Sequence, residues 1–165
     1  MKKIIVIGSP GAGKSVFSQK LSKITQIHLY HIDKLYHKED GTHISKEELE
    51  GKLKKIFKND SWIIDGNYQR TLEIRVKECD TIFLLDFPTE VCLEGAKSRI
   101  GKKREDLPWV EKKLDENFEQ YIINFAKEKL PPIYELLDKY KIGRNIIIFK
   151  SRTEADSYIK SMDKK

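Results

Sequence analysis

Apolar and polar positions along this chain fall into two alternating periods. Short, almost purely apolar runs recur at Ile4-Ile5-Val6-Ile7, Trp62-Ile63-Ile64, Ile82-Phe83-Leu84-Leu85 and Ile146-Ile147-Ile148-Phe149, each the length of a strand buried on both faces. A further stretch, Ile27 to Asp33, alternates apolar with polar side chains and predicts a strand ending at Asp33. Between the strands the period becomes helical. Phe17, Leu21 and Ile24 predict a helix over about 14–24. Leu49, Leu53, Ile56 and Phe57 follow the capping box that Ser45 and Glu48 open, and helices are expected over about 70–78 and 89–100. Val110, Leu114, Phe118, Tyr121, Ile122 and Phe125 hold the 3.6-residue spacing in one further helix. It is expected to bend or break at Pro131-Pro132 before Ile133, Leu136, Leu137 and Tyr140. Gly143 ends that segment, and a last helix is expected over about 151–161. Strand alternates with helix five times, which predicts an α/β fold: a parallel sheet covered by helices on both faces. Residues 1–165 suit a single domain, without internal repeat or linker.

The first strand leads into Gly8-Ser9-Pro10-Gly11-Ala12-Gly13-Lys14-Ser15-Val16, and a helix leads out. That context identifies a phosphate-binding P-loop, because backbone N–H groups can wrap a polyphosphate only where glycine allows close approach. Lys14 is the residue expected to reach the β- and γ-phosphates, Ser15 offers a hydroxyl to Mg²⁺, and the helix N-terminus adds partial positive charge. Other candidates lie at strand ends, where an open α/β sheet binds its ligands. Asp33 would point into the crevice. Asp65 and Asp86 compete for the carboxylate that holds Mg²⁺ or its waters, and the glycine after Asp65 favours Asp65. Arg70 is placed to clamp an anionic acceptor through its forked donors. The basic connection from Arg99 through Arg104 to Pro108 lies where P-loop kinases place a lid, and Lys150-Ser151-Arg152 is expected near the adenine ring.

Composition narrows the partners only in part. The 32 basic and 26 acidic residues leave a net charge of +6, which favours anionic partners, whether nucleotides, acidic metabolites or nucleic acid. The lysines of the 45–58 helix are scattered among glutamates, as on a solvated face. Cys79 and Cys92 show no metal-ligand spacing and read as buried thiols. No apolar run approaches the roughly 20 residues that cross a bilayer, so a cytoplasmic protein without membrane contact is expected. No helix-turn-helix, zinc module or guanine-reading motif is present in the sequence.

The P-loop resembles that of adenylate kinases, and Ile64-Asp65-Gly66-Asn67-Tyr68-Gln69-Arg70-Thr71 is similar to their Asp-Gly-Phe-Pro-Arg-Thr stretch, with Asn67-Tyr68-Gln69 in place of Phe-Pro. Nearly the whole chain resembles the FlaR-like DNA topology modulation proteins, a group of adenylate-kinase-like P-loop proteins. The marks are His31-Ile32-Asp33-Lys34-Leu35, Ser61 to Tyr68, Asp80 to Pro88 and Lys150-Ser151-Arg152. The resemblance implies a three-layer P-loop NTPase fold with strand order 2-3-1-4-5, an acceptor-binding insertion at about 34–60 and a short lid at about 100–108. It further implies ATP with Mg²⁺ as phosphoryl donor, and an acceptor held near Asp33, Asn67, Tyr68 and Arg70. Lys14, Arg99 and Arg104 would then serve the transfer itself. The leading expectation is a kinase acting on a small anionic or hydroxyl-bearing acceptor, a nucleoside monophosphate or related metabolite, with Asp33 as base for a hydroxyl. The alternative is a nucleotide-dependent regulator acting on DNA topology or a protein partner with little turnover.

Overall fold

The computed structural model describes residues 1–163. Five strands, β1 (Lys3–Gly8), β2 (Leu29–His31), β3 (Trp62–Asp65), β4 (Thr81–Leu85) and β5 (Asn145–Phe149), form one parallel sheet in the order β2-β3-β1-β4-β5. Its centre is β1, whose Ile5 is in register with Ile64 on one side and Ile82 on the other. Ile4, Ile5, Val6 and Ile7 have no exposed surface, which accounts for an apolar run without alternation. The pleat still sorts them. Ile5 and Ile7 face one core with Leu49, Leu53 and Val76; Ile4 and Val6 face the other with Phe17, Leu21 and Ile159.

The helices supply the two outer layers. Helices α1 (Lys14–Thr25), α5 (Thr89–Ser98) and α8 (Arg152–Asp163) cover the second core, while α3 (Lys46–Phe57), α4 (Leu72–Glu78) and α7 (Leu130–Lys139) cover the first. Helix α6 (Glu116–Glu128) spans the boundary, with Ile122 in one core and Phe125 in the other. The expected capping box is present, Glu48 N–H donating to Ser45 and Ser45 N–H to the Glu48 carboxylate. Pro131 and Pro132 occupy the first turn of α7, where a missing N–H costs no helical bond, so the break falls just ahead of them. No helix among the described residues is long and apolar enough to cross a membrane.

Three boundaries differ from the periodicity. The strand expected to reach Asp33 stops at His31, and Asp33 lies instead in the first turn of α2 (Ile32–Tyr36). At this sheet edge His31 is drawn to Asp65 and Ile32 turns fully into the core against Gly66, which bends the chain out of the ladder. Helix α4 begins at Leu72, after a 3₁₀ turn at Gln69–Thr71. The long helix expected through Val110 and Leu114 starts only at Glu116, capped by Asp115, whose carboxylate accepts from the N–H groups of Asn117 and Phe118. Residues 102–115, with Pro108 in their middle, contain neither helix nor strand, and Val110 is 42% exposed.

The loop between β1 and α1 is packed hard onto α5. A methyl group on Gly11 would sit 1.9 Å from the Cys92 carbonyl oxygen, and one on Gly95 would sit 2.0 Å from the Gly11 carbonyl oxygen. Alanine replacing glycine inside a helix ordinarily stabilises by about 1 kcal/mol. For Gly95→Ala the opposite sign is expected, a loss of about 1–3 kcal/mol from overpacking against the loop, read as a lower urea midpoint. A midpoint equal to or above that of the parent chain would contradict this packing.

Candidate nucleotide and acceptor site

Nucleotide chemistry needs backbone amides, cations and a base gathered at the carboxyl ends of the strands, and the sheet order delivers them there. The β1–α1 loop, α2, the β3–α4 loop and the 99–115 connection enclose a cleft of about 1090 Å³. Lys14, Ser15, Asp33, Asp65, Arg99 and Arg104 all line it. They come from four separate stretches of the chain.

Lys14 is folded back onto its own loop, its ammonium donating to the carbonyls of Gly8 and Ser9 at 3.0 Å each. Burial lowers its pKa, and the carboxylates of Asp33 and Asp65 offset that only in part. Asp33 is the counterpart. Its carboxylate has no hydrogen bond or ion pair among the described residues, and burial, aided by Asp65 and Asp106, raises its pKa against the opposing pull of Lys14. Such a carboxyl group is shifted toward the range a general base needs.

Asp65 is 3% exposed; its Oδ1 meets His31 Nδ1 at 2.8 Å while Oδ2 is buried without a partner. Burial alone would lower the His31 pKa, but the hydrogen bond and charge of Asp65 outweigh it and raise it. An orphaned carboxylate oxygen on a residue that lines the same cleft as Ser15 suits a hard cation such as Mg²⁺, which takes one or two protein oxygens and completes its shell with phosphate and water. Among the described residues there is no cluster of three His, Cys, Asp or Glu side chains able to hold a metal ion by themselves. The rival Asp86 is occupied elsewhere. It accepts from the Tyr134 hydroxyl at 2.6 Å and from the Lys150 ammonium, and it is absent from the cleft lining.

The remaining sequence candidates divide by how free they are. Arg70 is exposed at the cleft and forms no ion pair or side-chain hydrogen bond among the described residues. Tyr68 lines the cleft and packs against Tyr36 with ring centroids 4.4 Å apart. Asn67 also reaches the cleft, yet both halves of its amide are taken up by Gly8: Oδ1 accepts from Gly8 N–H at 3.1 Å and Nδ2 donates to the Gly8 carbonyl at 2.6 Å. It ties the P-loop to the loop after β3. Ser9 is buried, Val16 is exposed along the cleft, and Pro10, Ala12 and Gly13 lie along its wall. Arg152 donates to the carbonyls of Gly11 and Val91 at 3.2 Å, which places the start of α8 beside the P-loop.

Three charged residues that sequence reasoning passed over complete the site. Arg75 is fully buried with no carboxylate partner; its guanidinium donates to the carbonyls of Gly66, Asn67, Tyr68 and Thr71. Burial lowers its pKa to about 10, with Asp33 and Asp65 opposing. Glu111 gathers both connection arginines on one oxygen: Arg104 Nη1 lies 2.6 Å from Oε2, and Arg99 Nε lies 3.2 Å from it in an ion pair without hydrogen-bond geometry. Asp106 accepts from Ser15 Oγ at 2.8 Å and is gripped by the Arg104 fork. Burial alone would raise its pKa, but Arg104 outweighs burial and holds it at about 2. A basic residue in an amphipathic helix gives no sequence signal of burial, and partners dozens of residues away give none at all.

No protein-family model matches this chain, and no curated protein matches it in sequence. Solved structures do. Shikimate kinase from Bacteroides thetaiotaomicron superposes with a TM-score of 0.63 at 15% identity, covering 98% of this chain and 96% of that one. Shikimate kinase from Acinetobacter baumannii, in complex with shikimate, gives 0.62 at 18% identity, covering 98% and 90%. At these identities the likeness establishes the fold. It is that of P-loop kinases, with the expected strand order.

Replacing Arg75 with the similarly long Met removes the side-chain donor to four carbonyls and strands those of Gly66 and Asn67, while that of Tyr68 keeps the N–H and hydroxyl of Thr71. An unsatisfied buried acceptor costs about 1–3 kcal/mol, so Arg75→Met is expected to lower unfolding free energy by about 3 kcal/mol or more in urea. A loss under about 1 kcal/mol would show that the guanidinium does not hold this loop.

Proposed function

We propose that this protein is an ATP-dependent kinase that phosphorylates a hydroxyl group of a small, anionic or hydroxyl-bearing metabolite. The observation that carries the reading is the convergence of Lys14, an unpaired Asp33 of raised pKa, and Arg99 and Arg104 on one cleft. The fold shared with shikimate kinases supports it. So does the sequence resemblance to adenylate-kinase-like proteins.

In this reading the triphosphate lies on the amides of residues 8–15 and the N-terminus of α1, and Lys14 exchanges its carbonyl partners for phosphate oxygens. Ser15 and Asp65 would hold Mg²⁺, which supplies charge neutralisation for the phosphates. Arg70, exposed and unpaired, takes an anionic part of the acceptor, beside the ring of Tyr68. The acceptor oxygen attacks the γ-phosphorus and gives its proton to Asp33, while the bond to the bridging oxygen breaks to leave ADP. Arg99 and Arg104 neutralise charge on the moving group. A phosphate acceptor would need no base, so Asp33 favours a hydroxyl over the nucleoside monophosphate implied by the adenylate kinase resemblance.

The test is ADP release from ATP and Mg²⁺ across hydroxy acids, nucleosides and nucleoside monophosphates. With the productive acceptor, Asp33→Asn is expected to lower kcat by roughly 10²- to 10⁴-fold, while ATP still raises its Tm as it does for the parent chain. Lys14→Ala should lose most of that Tm shift. No acceptor giving ADP release above the Lys14→Ala background would overturn the kinase reading.

A further inference from the structure

The contact between the 99–115 connection and the P-loop is made by a single carboxylate. Asp106, 6% exposed, accepts from Ser15 Oγ at 2.8 Å through Oδ2, and its two oxygens take Nε and Nη2 of Arg104. Glu111 takes the remaining edge of the same guanidinium through Nη1, at 2.6 Å. Beside them Glu105 accepts from Gln19 at 3.0 Å, so the connection is docked along the first two turns of α1. Those turns are where a helix N-terminus and loop amides attract an anion. Two groups assigned above to the Mg²⁺ and the transferring phosphoryl group, the Ser15 hydroxyl and the Arg104 fork, are therefore both donating to a group with the charge sign and paired oxygens of a phosphate.

We propose that Asp106 is a positioning residue that stands in for a nucleotide phosphate: it holds Ser15 and Arg104 while the cleft is empty, and an incoming polyphosphate takes both donors from it. The inference rests on the kinase reading only for where the phosphates lie. With Glu111, the carboxylate keeps a part-buried guanidinium, 15% exposed, neutralised and aimed before substrate arrives. It also opposes nucleotide binding, because each donor given to phosphate is first withdrawn from Asp106. Release of Arg104 and filling of the P-loop thus become one event, which ties closure of the connection to the presence of a β- or γ-phosphate.

Loss of the carboxylate then raises nucleotide affinity, which loss of a merely structural residue would not do. Binding of ATP, ADP and AMP to the full chain is measured calorimetrically, with EDTA and again with Mg²⁺, for the parent, Asp106→Ala and the near-isosteric Asp106→Asn. Metal-free ATP is expected to bind roughly tenfold more tightly to both variants, the scale of one hydrogen bond no longer competed for, and AMP about equally to all three. Weaker binding of ATP and AMP in parallel would mark a merely structural residue and overturn the proposal. Weaker ATP binding confined to Mg²⁺ would make Asp106 a metal ligand and overturn it equally. Failure of the parent chain to bind ATP removes both readings. ATP binding without ADP release from any acceptor removes the kinase reading alone, since the affinity change needs no turnover.

Discussion

A cradle of backbone amides works only if it is held rigid from outside, because it has few side chains of its own to brace it. Here the brace is close contact between two backbones: the P-loop carbonyl at Gly11 rests on the face of α5 that Gly95 leaves bare, and Gly11 itself sits against the Cys92 carbonyl. Arg152 reaches the same Gly11 carbonyl from α8, and the Asn67 amide brackets Gly8 from the loop after β3. Three separate elements thus fix one loop. Amides held in this way meet a phosphate without reorganising, which is the form of electrostatic stabilisation that phosphoryl transfer depends on.

The second organising feature is charge balance inside the cleft. Lys14, Arg99 and Arg104 would repel one another if gathered alone, and the desolvation and mutual repulsion that lower the Arg99 pKa are the visible sign. Glu111 and Asp106 compensate the arginines directly, while Asp33 and Asp65 act on Lys14 through space. The carboxylates are not equivalent. Asp106 is held ionised by its partner, whereas Asp33 has no partner and is pushed toward the protonated form. One cleft therefore holds an ionised carboxylate and one pushed toward its neutral form, separated by environment rather than by residue type.

What the sequence revealed follows the same physical lines. A P-loop is a local signal, legible because glycine spacing, strand and helix all lie within about 25 residues, and the apolar runs mark a parallel sheet because both faces are buried. The strand order came from resemblance, not from periodicity. Periodicity misled at 110–115, where Val110 and Leu114 keep a helical spacing while Pro108 and the Asp115 cap place the helix start later. It misled again at Asp33, because the edge strand β2 is bent by what His31 and Ile32 touch in β3 and the loop after it. Arg75, Asp106 and Glu111 were illegible for a different reason. Each is an ordinary charged residue until the fold turns it inward, only Asp106 meeting a partner far along the chain, and charge in a window says nothing about burial.

Arg75 shows how such a residue shapes a site it never enters. The loop after β3 carries Gly66 at φ +109°, a region open to glycine, and Tyr68 at φ +20°, which a residue with a side chain rarely adopts. In that geometry the carbonyls of residues 66, 67 and 68 converge on one guanidinium, which shares that of Tyr68 with Thr71. The turn and the buried cation thus support each other: without the cation the carbonyls of Gly66 and Asn67 lose their donor, and without the turn the cation loses three of its four acceptors. The outward consequence is that Asn67, Tyr68 and Arg70 present their side chains to the cleft from a fixed platform, and Asn67 in turn fixes Gly8 at the start of the P-loop. In the kinase reading this one loop would join the donor and acceptor ends of the cleft, because the guanidinium that braces it also holds the loop whose Asn67 fixes Gly8 and whose Tyr68 and Arg70 line the cleft.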